Sequence, residues 1–161
     1  MITTTKFVCC FLMILLTLCV VALSVYLQGR DKEHVFVFPV CAACPEYWIE
    51  FSGKCYYFSE NARNWTFSQA FCTSVEARLA QFETLKELDF LKRYAGPSDH
   101  WIGLSRESSI DNWEWTDGTD HNSWFIIKGA GECAYLNDKG VSSARSDTKK
   151  KWICNKLLGF P

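Results

Sequence analysis

Three histidines, a set of cysteines and a cationic run near the C-terminus are the residues of this chain that could do chemistry. Hydrolytic or group-transfer catalysis needs a base within reach of a nucleophile, and a third group to orient the base. His34, His100 and His121 are scattered and have no evident nucleophile partner, which disfavours an enzyme. Cys41-x-x-Cys44 has the spacing of half a zinc site, but no second pair at ligand spacing follows it. The run from Gly131 to Cys154 offers something different. Ala134-Tyr135-Leu136 and Trp152-Ile153-Cys154 read as short buried strands. Between them an exposed loop carries Lys139, Arg145, Lys149, Lys150 and Lys151 against only Asp138 and Asp147. An aromatic anchor rimmed by cations is the chemistry of a recognition surface, because aromatic and arginine side chains carry most interface energy while rim charges steer encounter. A merely solvated loop is the plainer alternative.

The rest of the chain must position that surface, and composition bounds how. A length of 161 residues, less a membrane segment, leaves room for one domain of ordinary size. Trp 7, Tyr 6 and Phe 12 supply large side chains for a dense core. With Lys+Arg 17 against Asp+Glu 18, the chain lacks the basic surface that a nucleic-acid binder needs to displace counterions. Cys9, Cys10 and Cys19 sit in an apolar run, where a thiol behaves as a small hydrophobe. Cys41, Cys44, Cys55, Cys72, Cys133 and Cys154 lie beyond it and imply an oxidising compartment with a disulfide framework, buried free thiols being the alternative.

Phe7 to Leu27 holds no charge and no proline, and its length of roughly 20 residues suffices to cross a bilayer as a helix. The rival is a cleaved signal peptide, with Ala22-x-Ser24 as its cleavage site. The apolar run exceeds the 7–15 residues of a signal h-region, so the expectation is an uncleaved signal anchor. Flanking charges are balanced, but the cysteine framework sets the orientation: the C-terminal part lies outside the cell, at the plasma membrane, and the protein is single-pass type II. The expected organisation is a cytoplasmic tail (1–6), a transmembrane anchor (7–27), a stalk (28–43), one domain (44–156) and a C-terminal tail (157–161). Cys41 at the end of the stalk is either free, intramolecular, or an interchain bridge in a homodimer. Asn64-Trp65-Thr66 is the only N-glycosylation sequon, placed on the outer side.

Within the domain the spacing predicts a small α+β fold of two helices and several short strands. Tyr47–Phe51 and Lys54–Phe58, joined by Ser52-Gly53, form a hairpin. Thr66-x-x-Gln69 is a capping box opening a helix with Phe67, Ala70 and Phe71 on its inner face. Leu79–Phe82 is a short strand. Thr84-x-x-Glu87 caps a second helix, with Leu85, Leu88 and Leu91 inward and Gly96-Pro97 as its stop. Trp101–Leu104 is a central buried strand, and Trp113–Thr116 ends at a turn signal, Asp117-Gly118.

Taken in order, Cys-Pro-x-x-Trp, Cys-Tyr-Tyr-Phe, Asn-Trp-Thr, Trp-Ile-Gly-Leu, Trp-x-Trp, Gly-Glu-Cys-Ala-Tyr-Leu-Asn-Asp and Lys-Trp-Ile-Cys resemble the C-type lectin-like domain, over residues 44–156. The wording of 96–107 and 133–145 is similar to group D of C-type lectin domain family 2, the lectin-like transcript and rodent Clr type. That resemblance implies a disulfide-stapled α+β fold with short antiparallel sheets, type II topology and homodimers. It also implies the role of a cell-surface ligand for inhibitory NKR-P receptors, restraining natural killer cells. A viral decoy copy would look the same, and an endocytic or adhesive sugar-binding lectin is the other alternative.

The resemblance further implies bridges Cys44–Cys55 and Cys72–Cys154. Relatives pair the cysteine at 133 with one about thirteen residues later, where this chain has Ser146. Cys133 is therefore expected as an unpaired, mostly buried thiol beside a less constrained 134–148 loop. Calcium-dependent members hold the ion with a Glu-Pro-Asn or Gln-Pro-Asp tripeptide plus Trp-Asn-Asp. Only Asn137-Asp138 remains here, and calcium takes six to eight oxygens, so neither calcium nor any other cofactor is expected. The implied receptor interface is Tyr135, Asn137, Asp138, Lys139, Arg145, Lys150 and Lys151.

Overall fold

The computed structural model describes residues 13–26 and 43–159, which fall into two separate units. In the first, residues 13–26 form helix α1. At 1.5 Å per residue it is about 21 Å long, and among the described residues no helix is long and apolar enough to cross a membrane. Its apolar side chains are exposed, and the Thr17 and Ser24 hydroxyls donate to the carbonyls of Ile14 and Val20. Those hydroxyls therefore need no water. The expected tail (1–6), both ends of the 7–27 segment, most of the stalk and Cys41 lie outside the described residues.

The second unit begins with a hairpin, β1 (Ile49–Phe51) and β2 (Lys54–Phe58), whose turn residues Ser52 and Gly53 both take positive φ, at 52° and 75°. Such a turn matches the twist of the paired strands. The further strands are β3 (Arg78–Leu79), β4 (His100–Ser105), β5 (Glu114–Trp115), β6 (Ile127–Lys128), β7 (Cys133–Asn137), β8 (Gly140–Ala144) and β9 (Lys151–Leu157). The sheet runs β1-β2-β9-β4-β7-β8-β6, with β3 added to β9 and β5 to β4. β9 is antiparallel to β2 and β3 but parallel to β4, and β6 is parallel to β8. The sheet is thus mixed, which corrects the expectation of purely antiparallel sheets. Parallel neighbours require a long crossover, and the chain between His100 and Lys151 supplies one.

β4 is the central strand its sequence suggests, with Trp101, Ile102 and Leu104 fully buried. A Cβ at Gly103 would lie 2.5 Å from the Leu79 carbonyl, so β4 can approach β3 this closely only with glycine there. The strand expected over Leu79–Phe82 is shorter and earlier, though Leu79, Ala80 and Phe82 are all in the core.

Two helices cover the sheet. Helix α2 (Trp65–Ser74) is capped by Asn64, whose Oδ1 accepts from the Phe67 amide at 2.9 Å. The expected Thr66 capping box does not form, because the helix starts one residue before Thr66 and places it inside the first turn. Its inner face turns accordingly: Ser68 and Cys72 are buried, Ala70 is exposed and Phe67 remains 47% exposed. Helix α3 (Leu85–Ala95) has the expected capping box between Thr84 and Glu87, and Gly96 at φ 59° ends it. Leu88 and Leu91 point inward together with Phe90, whereas Leu85 is 64% exposed. At the first turn the inward place belongs to Glu87, whose carboxylate accepts from the Glu83 and Thr84 amides and from Lys54.

Cys44–Cys55 ties the entry segment to β2, and Cys72–Cys154 ties α2 to β9, each with Cα atoms 5.5 Å apart. Cys133 is unpaired and buried. The expectation of a loosely held 134–148 loop is not met. Residues 133–137 and 140–144 form a five-rung antiparallel hairpin, closed by Asn137-Asp138-Lys139-Gly140. Gly140 takes φ 124°, which an L side chain adopts only with strain.

Candidate functional site

The candidate face is built by three strands that bring distant residues to one place. Trp101 on β4 is fully buried, and its indole N–H donates to the Arg63 carbonyl at 3.0 Å. Tyr135 on β7 pairs with Trp101 across the ladder and stands edge-on to it, with centroids 6.1 Å apart at 84°. Lys150, just before β9, lays its ammonium 3.8 Å from the centre of the Tyr135 ring and 5.5 Å from that of Trp101. A desolvated cation over an aromatic face is stabilised by the ring quadrupole, by about 2 kcal/mol at most sites of this kind.

Asp99 completes the cluster. Its Oδ2 is 2.7 Å from the Lys150 ammonium, and its Oδ1 accepts from the Asn137 carboxamide at 2.9 Å. The Asn137 Oδ1 in turn accepts the Lys139 amide at 2.9 Å. Burial works against the Asp99 charge, but the hydrogen bonds from Lys150 and Asn137 outweigh it and hold the carboxyl below its usual range. Each side-chain oxygen of Asp99 and Asn137 is therefore engaged by an N–H donor of the protein itself. Among the described residues no group of three or more His, Cys, Asp or Glu side chains is placed to hold a metal ion.

The other predicted positions have different partners. The Asp138 amide donates to Gly96 O at 2.8 Å and docks the β7–β8 turn on the end of α3, leaving the side chains of Asp138 and Lys139 exposed. Arg145 pairs with Asp147 at 2.7 Å, but both are mostly exposed, so the pair adds little stability. Lys151 is sent elsewhere: adjacent strand residues face opposite ways, and its ammonium lies 3.1 Å from Glu60. Tyr135, Asn137 and Lys150 thus converge, Asp138 and Lys139 lie in the turn beside Asn137, Arg145 follows the end of β8, and Lys151 does not join them.

Sequence reasoning missed Asp99 and Trp101 as organisers of the face. Asp99 directly precedes the apolar run of β4, yet nothing in its local spacing points to Lys150, a partner 51 positions away. The Cys133 thiol, on the same face of β7 as Tyr135 and packed in one cluster with it and Trp101, is pushed up to about 12 by burial, with the Glu132 charge adding to the effect. His100 is buried with Nδ1 2.9 Å from Ser98 O, and burial lowers its pKa. A cleft of about 620 Å3 is lined by Lys54, Arg78, Glu83, Asp117 and Lys156 among others, and by none of the seven predicted interface residues.

Comparison with known proteins places this geometry. Residues 61–156 match the family model described as the lectin C-type domain. C-type lectin domain family 2 member D of Homo sapiens is 55% identical over 152 residues, covering 93% of this chain and 77% of that protein. Member F of Mus musculus is 49% identical, covering 94% and 77%. The chain belongs to C-type lectin domain family 2. Among solved structures, this family 2 chain is similar to natural killer cell receptor Ly49C, with TM-score 0.62, 29% identity, and coverage of 71% and 95%. It is also similar to the trimeric Kupffer cell C-type lectin receptor, with TM-score 0.64, 28% identity, and coverage of 71% and 85%.

Proposed function

We propose that this family 2 protein is a single-pass type II protein of the plasma membrane, displayed as a homodimer. Its domain engages an NKR-P receptor ectodomain on natural killer cells and restrains killing. Recognition is by protein–protein contact, without calcium, sugar or catalysis. The observation that carries the reading is the Asp99–Lys150–Tyr135 cluster. The Lys150 ammonium, the Asn137 carboxamide and the Lys139 backbone amide take the side-chain oxygens of Asp99 and Asn137. What they leave is a rigid aromatic anchor with cations at its rim, the kind of patch that concentrates interface energy. In this reading residues 7–27 form the anchor, and Cys41 is the thiol available for a covalent link between two chains.

The test is binding of soluble NKR-P ectodomains to the full chain displayed on cells, with and without chelator. Lys139→Glu with Arg145→Glu reverses two exposed rim charges and should weaken binding at least tenfold, chiefly through slower association. Lys150→Glu is the poorer probe, because it sets a second carboxylate against Asp99 and disturbs the fold. Binding that is unchanged by the rim reversal, or abolished by chelator, would remove this face from the account.

A further inference from the structure

The sequon residue Asn64 has two jobs that its atoms can share. Its Oδ1 caps α2 through the Phe67 amide, while Nδ2, the atom an N-linked glycan occupies, has no partner among the described residues. The residue is exposed. Its place is fixed by a backbone seam. Arg63 N donates to Lys150 O at 2.9 Å, Lys150 N donates back to Arg63 O at 3.0 Å, and Trp65 N donates to Ser146 O at 3.0 Å. Asn64 therefore leaves the chain between two points bonded to the ends of the 146–150 segment. Beside it stands Phe67, whose half-exposed ring has the Arg63 guanidinium 5.7 Å from its centre and packs edge-on against Trp152. An exposed ring is a platform for the apolar face of a sugar.

We propose that Asn64 carries an N-linked glycan, and that this glycan fences the Ser146–Lys149 border of the candidate face, so that a partner must approach from the Tyr135–Lys139 side. Attachment joins Nδ2 to the anomeric carbon of an oligosaccharide delivered on a lipid pyrophosphate. The bond from that carbon to phosphate oxygen breaks, the lipid pyrophosphate leaves with the electron pair, and the amide proton passes to a base of the transferase. The cap survives, because Oδ1 remains an acceptor.

The border assignment builds on the proposed face, but its test needs no receptor. The full chain, displayed on mammalian cells, is labelled with a bulky amine-reactive polymer and with a small acylating reagent. Lys149, at the fenced border, is read against Lys139 in the β7–β8 turn by peptide mapping. Thr66→Ala and Asn64→Asp both destroy the sequon, and Asn64→Asp keeps a good capping residue. The expected result is a glycan on Asn64 of the native chain. The Lys149-to-Lys139 ratio for the bulky reagent should rise severalfold in both variants, and in native chain trimmed to one sugar, while the ratio for the small reagent stays level. An unoccupied Asn64, or a bulky-reagent ratio indifferent to the glycan, overturns the proposal whatever the receptor experiment finds.

Discussion

Asp99 accepts from Lys150 and Asn137, two side chains that the sheet brings to it from far along the chain. Removing its carboxylate strands an ammonium whose side chain is only 10% exposed. Asp99→Ala should cost about 1–2 kcal/mol in unfolding, the modest part of the range for lost charged hydrogen bonds because Asp99 itself is about a third exposed. It should also loosen Tyr135 and weaken partner binding. The sign of the pH dependence follows from the depressed pKa of Asp99 and of Glu87. In Glu87, too, burial opposes the charge and is outweighed, chiefly by the Lys54 hydrogen bond. A carboxyl with a lower pKa in the fold than in the unfolded chain stabilises the fold above its unfolded value, about 4. That contribution is lost as pH falls through the folded value. Thermal melts of Asp99→Asn between pH 7 and pH 3 should show a lower Tm at neutrality and a smaller drop on acidification than the native chain.

Among the elements, α3 carries its stabilisation at one end. Glu87, 4% exposed, answers the Thr84 cap, accepts the Glu83 amide, pairs with Lys54 at 2.8 Å and lies 3.3 Å from the Tyr56 hydroxyl. Thr84→Ala removes one cap bond and should cost about 1 kcal/mol. Glu87→Ala leaves the largely buried Lys54 charge with only the longer, exposed contact to Glu83 at 3.5 Å and should cost about 3 kcal/mol, and denaturant midpoints of the two variants would show the gap. This helix was legible because its signals are local: the cap, the stop at Gly96 and the spacing of Leu88 and Leu91 all lie within one stretch. The β1–β2 turn was legible for the same reason. β8 was not, since Val141-Ser142-Ser143-Ala144 has little apolar alternation and gains its strand state from β7 and β6 on either side. The α2 cap was misjudged because Asn64 and Thr66 both suit an N-cap, and only the Trp65–Ser146 and Arg63–Lys150 bonds decide where the helix begins. The candidate face shows the same division. Tyr135 and its cations stand out in sequence, whereas Asp99 and Trp101 enter only through the registers that β4 makes with β7 and β9.

At the scale of the whole molecule two covalent clips act on very different loops. Cys72–Cys154 spans 82 positions and Cys44–Cys55 spans 11. Loop-closure entropy puts their effects near 4.5 and near 2.8 kcal/mol, so replacing the long bridge with a pair of alanines should lower Tm clearly more than replacing the short one. Scanning calorimetry of the two double variants would read the order directly. β9 makes that long bridge matter in another way. It is the common neighbour of β2, β3 and β4, and it is built from residues 151–157. A nascent chain that lacks β9 thus holds three strands with no shared partner, and a Cys72 thiol whose partner is still to be made. Folding closes only after β9 is made, over long sequence separations that make it slow. Closure of the Cys72–Cys154 bridge therefore marks, in a single covalent event, a sheet whose middle strand is in place.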